Sequence, residues 1–557
     1  MAAAAAAAGS RINCFLNPIN PLNSKTTTRL TTHLHFSLSK KTPPTFSTRA
    51  SSDPFVLTTP LYYVNAPPHM GSAYTTIAAD AIACFQRLLG KRVIFITGTD
   101  EHGEKIATAA AANNSSPAQD CDLISVLHNS LEKCMFLFYP PWKFTVLVKF
   151  AFKDEKELLE NNCCPTHLKP CVARKEDNFF FALSKYQKPL EETLAKNPNF
   201  VQPSYRLNEV TGPNYIGLVK YISALSDDME QPSLGRAVSS GWPASLHLIG
   251  KFPAAQLFEI WIGFGLISKA STEDILRFHA VYWPAMLMSA GLGLPKMVFG
   301  HGFLTKDGMK MGKSLGNTIE PNDLVHKFGS DAVRYFFIRE VEFGSDGDYS
   351  EDHFINIVNA HLANSIGNLL NRTLGLLKKN CQSTLVIDSS TAAEGTTFKD
   401  TVEKLVEKAR VDYENLSLSS ACEAVLEISN AGNSYMDGCA PWSLFKHGGD
   451  ASEAAAKDLV IILEAMRIIA IALSPVTPSL SWRIYGQLGY SKDQFDAAIW
   501  SDTKWGGLKS GQVMAQPQPI FARIESQTEE EKGVQAPEAP KKMKKNKLPK
   551  PQQVVEA

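Results

Sequence analysis

Phe55-Val56-Leu57-Thr58-Thr59-Pro60-Leu61-Tyr62-Tyr63-Val64, followed at once by Asn65-Ala66-Pro67-Pro68-His69-Met70-Gly71-Ser72, decides the fold of this chain. Aromatic and β-branched residues dominate the first segment, which reads as a buried strand. From Ala73 to Leu89, Tyr74, Ile77, Ala81, Phe85 and Leu88 recur at helical spacing, and Gly90 supplies the stop. Val93 to Thr97 forms the next strand. Gly98-Thr99-Asp100-Glu101-His102-Gly103 then lies at its carboxyl end, where open α/β sheets bind ligands. Strand, helix and strand in this order predict an α/β domain with its site around the turn at His69.

His69 and Gly71 fall at the start of the helix, where unpaired backbone amides and the helix dipole favour phosphate. An imidazole adds a hydrogen bond there, and Gly71, lacking Cβ, admits a ligand close to the backbone. Alone, His-x-Gly is more often a plain turn. A second segment changes that weighting: Lys310-Met311-Gly312-Lys313-Ser314, continued by Leu315-Gly316-Asn317. Two lysines in a glycine-hinged loop suit a polyphosphate whose charge shifts during reaction. The P-loop pattern fits poorly, because Asp307 stands where it needs glycine and Gly308 comes one residue late. A solvated lysine turn would be the reading of this loop alone; with His69 it points to nucleotide activation.

At 557 residues the chain has room for several domains. Lys+Arg and Asp+Glu both number 56, so any surface for nucleic acid must be local. Ten scattered cysteines, no secretory signal and no long apolar run predict a soluble chain in a reducing compartment, with no membrane partner. Residues 1–52 carry an alanine run, many Ser and Thr, dispersed basic residues and no acidic one. That composition predicts an organellar transit peptide, its Ser/Thr richness favouring the chloroplast and allowing the mitochondrion. Residues 509–557, rich in Gln, Pro, Lys and Glu, read as a low-complexity tail; its run Lys541 to Lys547 suits a solvated surface or RNA phosphates.

The His69 segment resembles the HIGH motif, and the Lys310 loop the KMSKS motif, of class I aminoacyl-tRNA synthetases. Several further blocks are similar to the methionyl-tRNA synthetase family: Leu57 to Asn65, Thr97 to Lys105, Asp274 to His279, Tyr282 to Met286, His301-Gly302-Phe303 and Asn322-Asp323-Leu324. The resemblance implies a Rossmann-like α/β catalytic domain over 53–350, then an α-helical anticodon-binding bundle over 351–508. It implies ATP with magnesium, L-methionine and tRNA(Met) as reactants and partners. His69, Lys310 and Lys313 would stabilise phosphate charge, with Gly71, Ser72, Met311, Ser314 and His301 also at ATP. Asp100 would hold the methionine ammonium, and Leu61, Tyr63 and His279 would line its pocket, although periodicity alone assigns Leu61 and Tyr63 to a buried strand face.

In the helical half, Leu459, Ile462, Leu463, Met466, Ile469 and Leu473 predict one apolar helix face ending before Pro475. Asn368 and Arg372, four apart on one helix, and Trp442 match the family's anticodon-reading positions, where flat groups suit unstacked bases. A helix-packing anchor is the alternative reading of Trp442.

The chain also departs from the family. Ser72 replaces the second histidine of HIGH and Gly312 the serine of KMSKS. Near 150–205, Cys164-Pro165-Thr166-His167 keeps only part of the family's zinc knuckle. Tetrahedral zinc needs four ligands, so Cys164 and His167 form an incomplete set and the reading leans against bound zinc. After Glu209 the chain lacks the Trp-Phe-Asp-Ala strand that closes the methionine pocket, and Phe252 to Glu273 interrupts an otherwise continuous block, with the insert placed at 252–273. Such clean junctions suggest missed or retained gene segments, and losing a strand predicts unpaired sheet edges. Two functions follow: an active organellar methionine–tRNA ligase, or a defective tRNA-binding isoform that cannot activate methionine.

Overall fold

A computed structural model describes residues 54–60, 62–63, 67–100, 142–143, 182–211, 256–262, 278–311 and 316–525, with isolated positions between 110 and 124 and at 276. Six strands form a parallel sheet: β1 (Phe55–Thr58), β3 (Val93–Thr97), β5 (Trp142–Lys143), β6 (Val201–Gln202), β7 (Gln256–Ile262) and β8 (Met297–His301). Their spatial order is β5-β3-β1-β7-β8-β6. Helix α1 (Met70–Leu88) connects β1 to β3 and lies against the sheet. It is buried on nearly every face, and Ala73, Ala78, Ala79, Ala81 and Ala83 are fully buried, which lets neighbouring elements approach closely. Gly90, at φ +78°, ends it.

β7 comes from the stretch expected to interrupt the domain. Its sequence, Gln-Leu-Phe-Glu-Ile-Trp-Ile, has the aromatic and β-branched content of a parallel-sheet strand. Its backbone pairs with β1 from Phe55↔Gln256 and with β8 through Ile262↔His301. β7 thus lies between β1 and β8 in the sheet.

Two smaller sheets complete this half. β2 (Tyr62–Tyr63) runs parallel to β4 (Thr99–Asp100), while β9 (Leu304–Lys306) lies between β10 (Met309–Lys310) and β11 (Gly347–Tyr349). Helices α2 (Gln187–Lys196), α3 (Ser204–Thr211) and α4 (Trp283–Ser289) belong to the α/β half; α5 (Pro321–Phe328), α6 (Ser330–Glu340) and α7 (Glu351–Val358) lead into the bundle. The bundle contains α8 (Asn368–Cys381), α9 (Thr397–Glu414), α10 (Leu418–Cys439), α11 (Gly449–Leu473) and α12 (Pro478–Gln487).

The predicted apolar face of α11 is wider than expected. Val460, Ile461, Ile468 and Ile471 are as buried as Leu459 and Ile462, because the helix runs through the middle of the bundle rather than along its edge. Its charged residues are served from the chain end: Glu464 accepts from the amides of Gly506, Gly507 and Leu508, each at 2.9 Å. Burial opposes ionisation of Glu464, yet Arg467 and these amides hold its carboxyl below the usual range. Arg467 also donates to the Asp502 and Lys504 carbonyls. The expected tail boundary at 509 therefore moves outward. Met514 and Ile520 are buried, and Met514 N donates to the Ser383 carbonyl, so backbone pairing incorporates a segment whose polar composition argues against a core.

Arg334 on α6 joins the two halves. Its guanidinium meets Asp80 of α1 at 2.8 Å and donates to the Pro475 and Val476 carbonyls, both at 2.8 Å, in the turn between α11 and α12. One turn earlier on α6, Asp331 accepts from the amides of Ser479 and Leu480 and caps α12. Burial pushes the Asp80 carboxyl up while the guanidinium draws it down.

β8 ends at His301, which is 3% exposed. Its ring stands edge-on to Tyr74 at 4.9 Å, and its Nδ1 lies 2.5 Å from the Gly302 carbonyl, an arrangement in which Nδ1–H donates. Burial lowers its pKa to about 3, opposed by the Gly302 contact and aided by Arg206.

Arg334→Ala should destabilise the protein by about 3 kcal/mol in denaturant unfolding, because Asp80 and two carbonyls lose their partner. Arg334→Met with Asp80→Leu should cost less, since neither member of the ion pair is left buried without the other. His301 predicts an acid limb as well. The folded state refuses a proton that the unfolded state accepts from pH 6.5 downward, so stability falls as pH drops from 6.5 towards about 3. The slope is about 1.4 kcal/mol per pH unit, and His301→Asn should remove that share in unfolding measured across the range.

Candidate active site

His69 takes an extended backbone, φ −124° and ψ 168°, and caps α1. Its Nδ1 accepts from the Gly71 amide at 3.1 Å. An accepting Nδ1 places the ring proton on Nε2, so the imidazole presents a donor at the helix amino terminus. Ser72, standing at the second histidine position of the HIGH pattern, is buried. Its hydroxyl donates to the His69 carbonyl at 2.8 Å and accepts from the His69 amide at 3.3 Å. The replacement thus closes a reciprocal cap and holds the turn. Gly71 is buried beside it.

The Met70 amide donates to the Ile319 carbonyl at 3.0 Å. This bond joins the His69 turn to the segment that follows the lysine loop. The loop itself grows from a hairpin in which Met309 pairs with Lys306 and Lys310 with Thr305. Asp307 and Gly308, at φ 51° and 71°, form its two-residue turn, a geometry that Asp-Gly favours and that this dipeptide signals in the sequence. Met311, expected at ATP, is 3% exposed and packs in the core with Leu304 and Ile319, which anchors the hairpin exit. Gly302, beside buried His301, has no room for a Cβ: the Ser345 carbonyl carbon would lie 2.2 Å away. His301 Nε2 has no hydrogen-bond partner among the described residues, which leaves an acceptor at the end of β8.

Tyr63 and Asp100 occupy paired positions of β2 and β4, which brings two of the expected methionine-pocket residues to one place. His279, half-buried, lies in the π-helical turn Phe278–Tyr282 that leads into α4. Leu61, Gly312, Lys313, Ser314, Cys164 and His167 lie outside the described residues. Among the described residues no group of three His, Cys, Asp or Glu side chains is arranged for a metal.

On the bundle, Asn368 is exposed at the start of α8, and Arg372 follows one turn later. The Arg372 guanidinium sits 5.4 Å from the Trp442 ring and pairs with Asp437 at 2.9 Å. Trp442 is 38% exposed, with the Arg372 guanidinium over its ring. Asp437, on α10, escaped the sequence reading because nothing in its own neighbourhood announces a partner on α8.

Comparison with known proteins identifies the family. A family model described as tRNA synthetases class I (M) matches residues 55–139 and 263–374, and one described as the anticodon binding domain of methionyl tRNA ligase matches 388–536. The chloroplastic/mitochondrial methionine–tRNA ligase of Arabidopsis thaliana is 63% identical over 90% of this chain and 88% of its own. The methionine–tRNA ligase of a Nostoc strain is 43% identical, covering 85% of this chain and 97% of its own. Among solved structures, Mycobacterium tuberculosis methionyl-tRNA synthetase in complex with methionyl-adenylate superposes with a TM-score of 0.68 at 29% identity, covering 85% of this chain and all of that one. The chain belongs to the methionine–tRNA ligase family of class I aminoacyl-tRNA synthetases.

Proposed function

We propose that this chain joins L-methionine to tRNA(Met) at the expense of ATP, for translation in the chloroplast and the mitochondrion. The methionine carboxylate attacks the α-phosphorus of ATP and pyrophosphate leaves. The terminal ribose hydroxyl of the tRNA then attacks the methionyl carbonyl and releases AMP. The observation that carries this reading is the His69 turn: a helix amino terminus, an imidazole fixed with Nε2–H as donor, and a direct bond from Met70 to the segment after the lysine loop. The first amides are spent within the protein, so what the turn offers to growing phosphate charge is the imidazole proton on Nε2 and the positive end of the helix dipole.

In this reading Lys310 and Lys313 add positive charge on the pyrophosphate side, while Gly71, Ser72, Ser314 and His301 shape the nucleotide site. Asp100 holds the methionine ammonium, and Leu61, Tyr63 and His279 border its side chain. Magnesium would accompany ATP and offset its phosphate charge, and no residue of this chain is assigned to hold it. Cys164 and His167 are too few to complete a zinc tetrahedron, and no step is assigned to that metal. Asn368, Arg372 and Trp442 read unstacked anticodon bases by stacking and hydrogen bonding. The defective-isoform alternative rests on the shortened stretch after Glu209. The high coverage of its relatives favours the active reading.

Methionine-dependent ATP–pyrophosphate exchange by the purified chain tests the reading. Lys313→Ala should lower exchange by about 100- to 1,000-fold while leaving the thermal unfolding midpoint in place. Unchanged exchange would remove Lys313 from the chemistry. Trp442→Ala should leave exchange intact and raise the KM for tRNA(Met) in aminoacylation by roughly tenfold, the scale of one lost stacking contact. Equal loss in both assays would place Trp442 in the fold rather than in tRNA recognition.

A further inference from the structure

The helix face that carries Asn368 and Arg372 is delivered by a change of helical pitch. Between α7 and α8 the chain winds as a π-helix, Asn359–Gly367, and returns to α-helical geometry at Asn368. The wider turn breaks the 3.6-residue phase, so the direction in which Asn368 and Arg372 point is not inherited from α7. Contacts from outside the helix set it. At the start of the segment these come from the chain end: Asn359 Nδ2 donates to the Ile524 carbonyl and its Oδ1 accepts from the Ile524 amide, both at 2.8 Å.

At the other end the partner is α10. Asn433 uses its side-chain amide twice there, donating to the Ser429 carbonyl of its own helix at 3.0 Å and to the Ser365 carbonyl of the π-helix at 3.2 Å. The Ser365 hydroxyl lies 3.0 Å from that of Ser429 and donates to Asn430 at 2.9 Å. Ser429, Asn433 and Asp437 are four apart and share one face of α10, and Asp437 meets Arg372, two turns beyond Ser365. Gly432 lets the helices close on this seam, since a Cβ there would lie 2.8 Å from the Leu369 side chain. The contacts in this row differ in what they can fix. Asp437 is exposed, so its ion pair is screened by solvent and weak. Asn433 is half-buried and grips main chain, which no side-chain rotation can withdraw.

We infer that Asn433 is a positioning residue for tRNA recognition: by holding the Ser365 carbonyl it sets the register of α8 against α10, and with it the place of the Arg372 guanidinium over Trp442, which follows α10 directly. This rests on the anticodon reading above.

Asn433→Ala removes the donor, and Asn433→Asp keeps its shape while setting an acceptor against two carbonyls. Both should raise the Kd for tRNA(Met), measured by filter binding, about five- to tenfold, the scale of one hydrogen bond. Methionine-dependent pyrophosphate exchange should stay within about twofold of the parent chain. In an Arg372→Ala background the same substitutions should weaken binding by less than about twofold more, because they act through the guanidinium that Asn433 places. Hydrogen–deuterium exchange of the full chain reads the helix without tRNA, and amides of 365–372 should exchange faster in both variants while those of α1 do not. An unchanged Kd, an effect that multiplies in full with that of Arg372→Ala, or a matching fall in pyrophosphate exchange would overturn the positioning role. If Arg372→Ala and Trp442→Ala themselves leave the Kd unchanged while the Asn433 variants speed deuterium uptake over 365–372, the anticodon reading falls and the placement of α8 by Asn433 stands.

Discussion

A single buried guanidinium sets the relation between the two halves of this protein. Arg334 touches the HIGH-type helix through Asp80 and the turn between the last two long bundle helices through two carbonyls. Each of these groups is costly to bury without a partner, so none can withdraw alone. Asp331, three residues earlier and on the same face, meets the amides at the start of α12. Helix α6 thus presents a cation to carbonyls and an anion to amides across one helix junction. The turn fits in one orientation, and that orientation fixes where the bundle's Trp442 surface stands relative to the His69 end of α1.

The active end of α1 works by the same economy of backbone groups. Helix amino termini have amides to spare, and here they are divided: Met70 is given to Ile319 and Gly71 to the His69 ring. The first use ties two motifs that are remote in sequence. The second orients the imidazole. Ser72 completes the turn by serving the backbone of His69 itself, which explains how a serine stands where the family pattern has histidine without loosening the cap.

What could be read from the residues follows from where the physics is local. The β1-α1-β3 unit announces itself because its apolar spacing, its histidine turn and its glycine stop all lie within one segment. The hairpin under Lys310 was also legible in principle, since Asp307-Gly308 is a strong turn signal, but short strands flanking it carry too few apolar residues to display alternation. β7 is not legible as a sheet strand from family resemblance, because its residues match no family block, although their composition suits a strand. Arg334, Asp437 and Glu464 could not be assigned, because each is explained by a partner from another element. The region after Ser510 differs for another reason: a few apolar side chains, Met514 and Ile520 among them, enter the core from a mostly polar stretch held by backbone pairing, and composition averages over both.

Glu464 gives that last region a mechanical meaning. The carboxylate lies in the middle of the bundle's central helix, paired with Arg467 at 2.6 Å, and its three amide partners come from beyond the last long helix. Arg467 in turn reaches the carbonyls of Asp502 and Lys504 in that same segment. One ion pair on α11 therefore serves as a clasp: a stretch without a long helix of its own is fastened to the interior through its backbone, and its exposed side chains stay free to vary while the fastening holds.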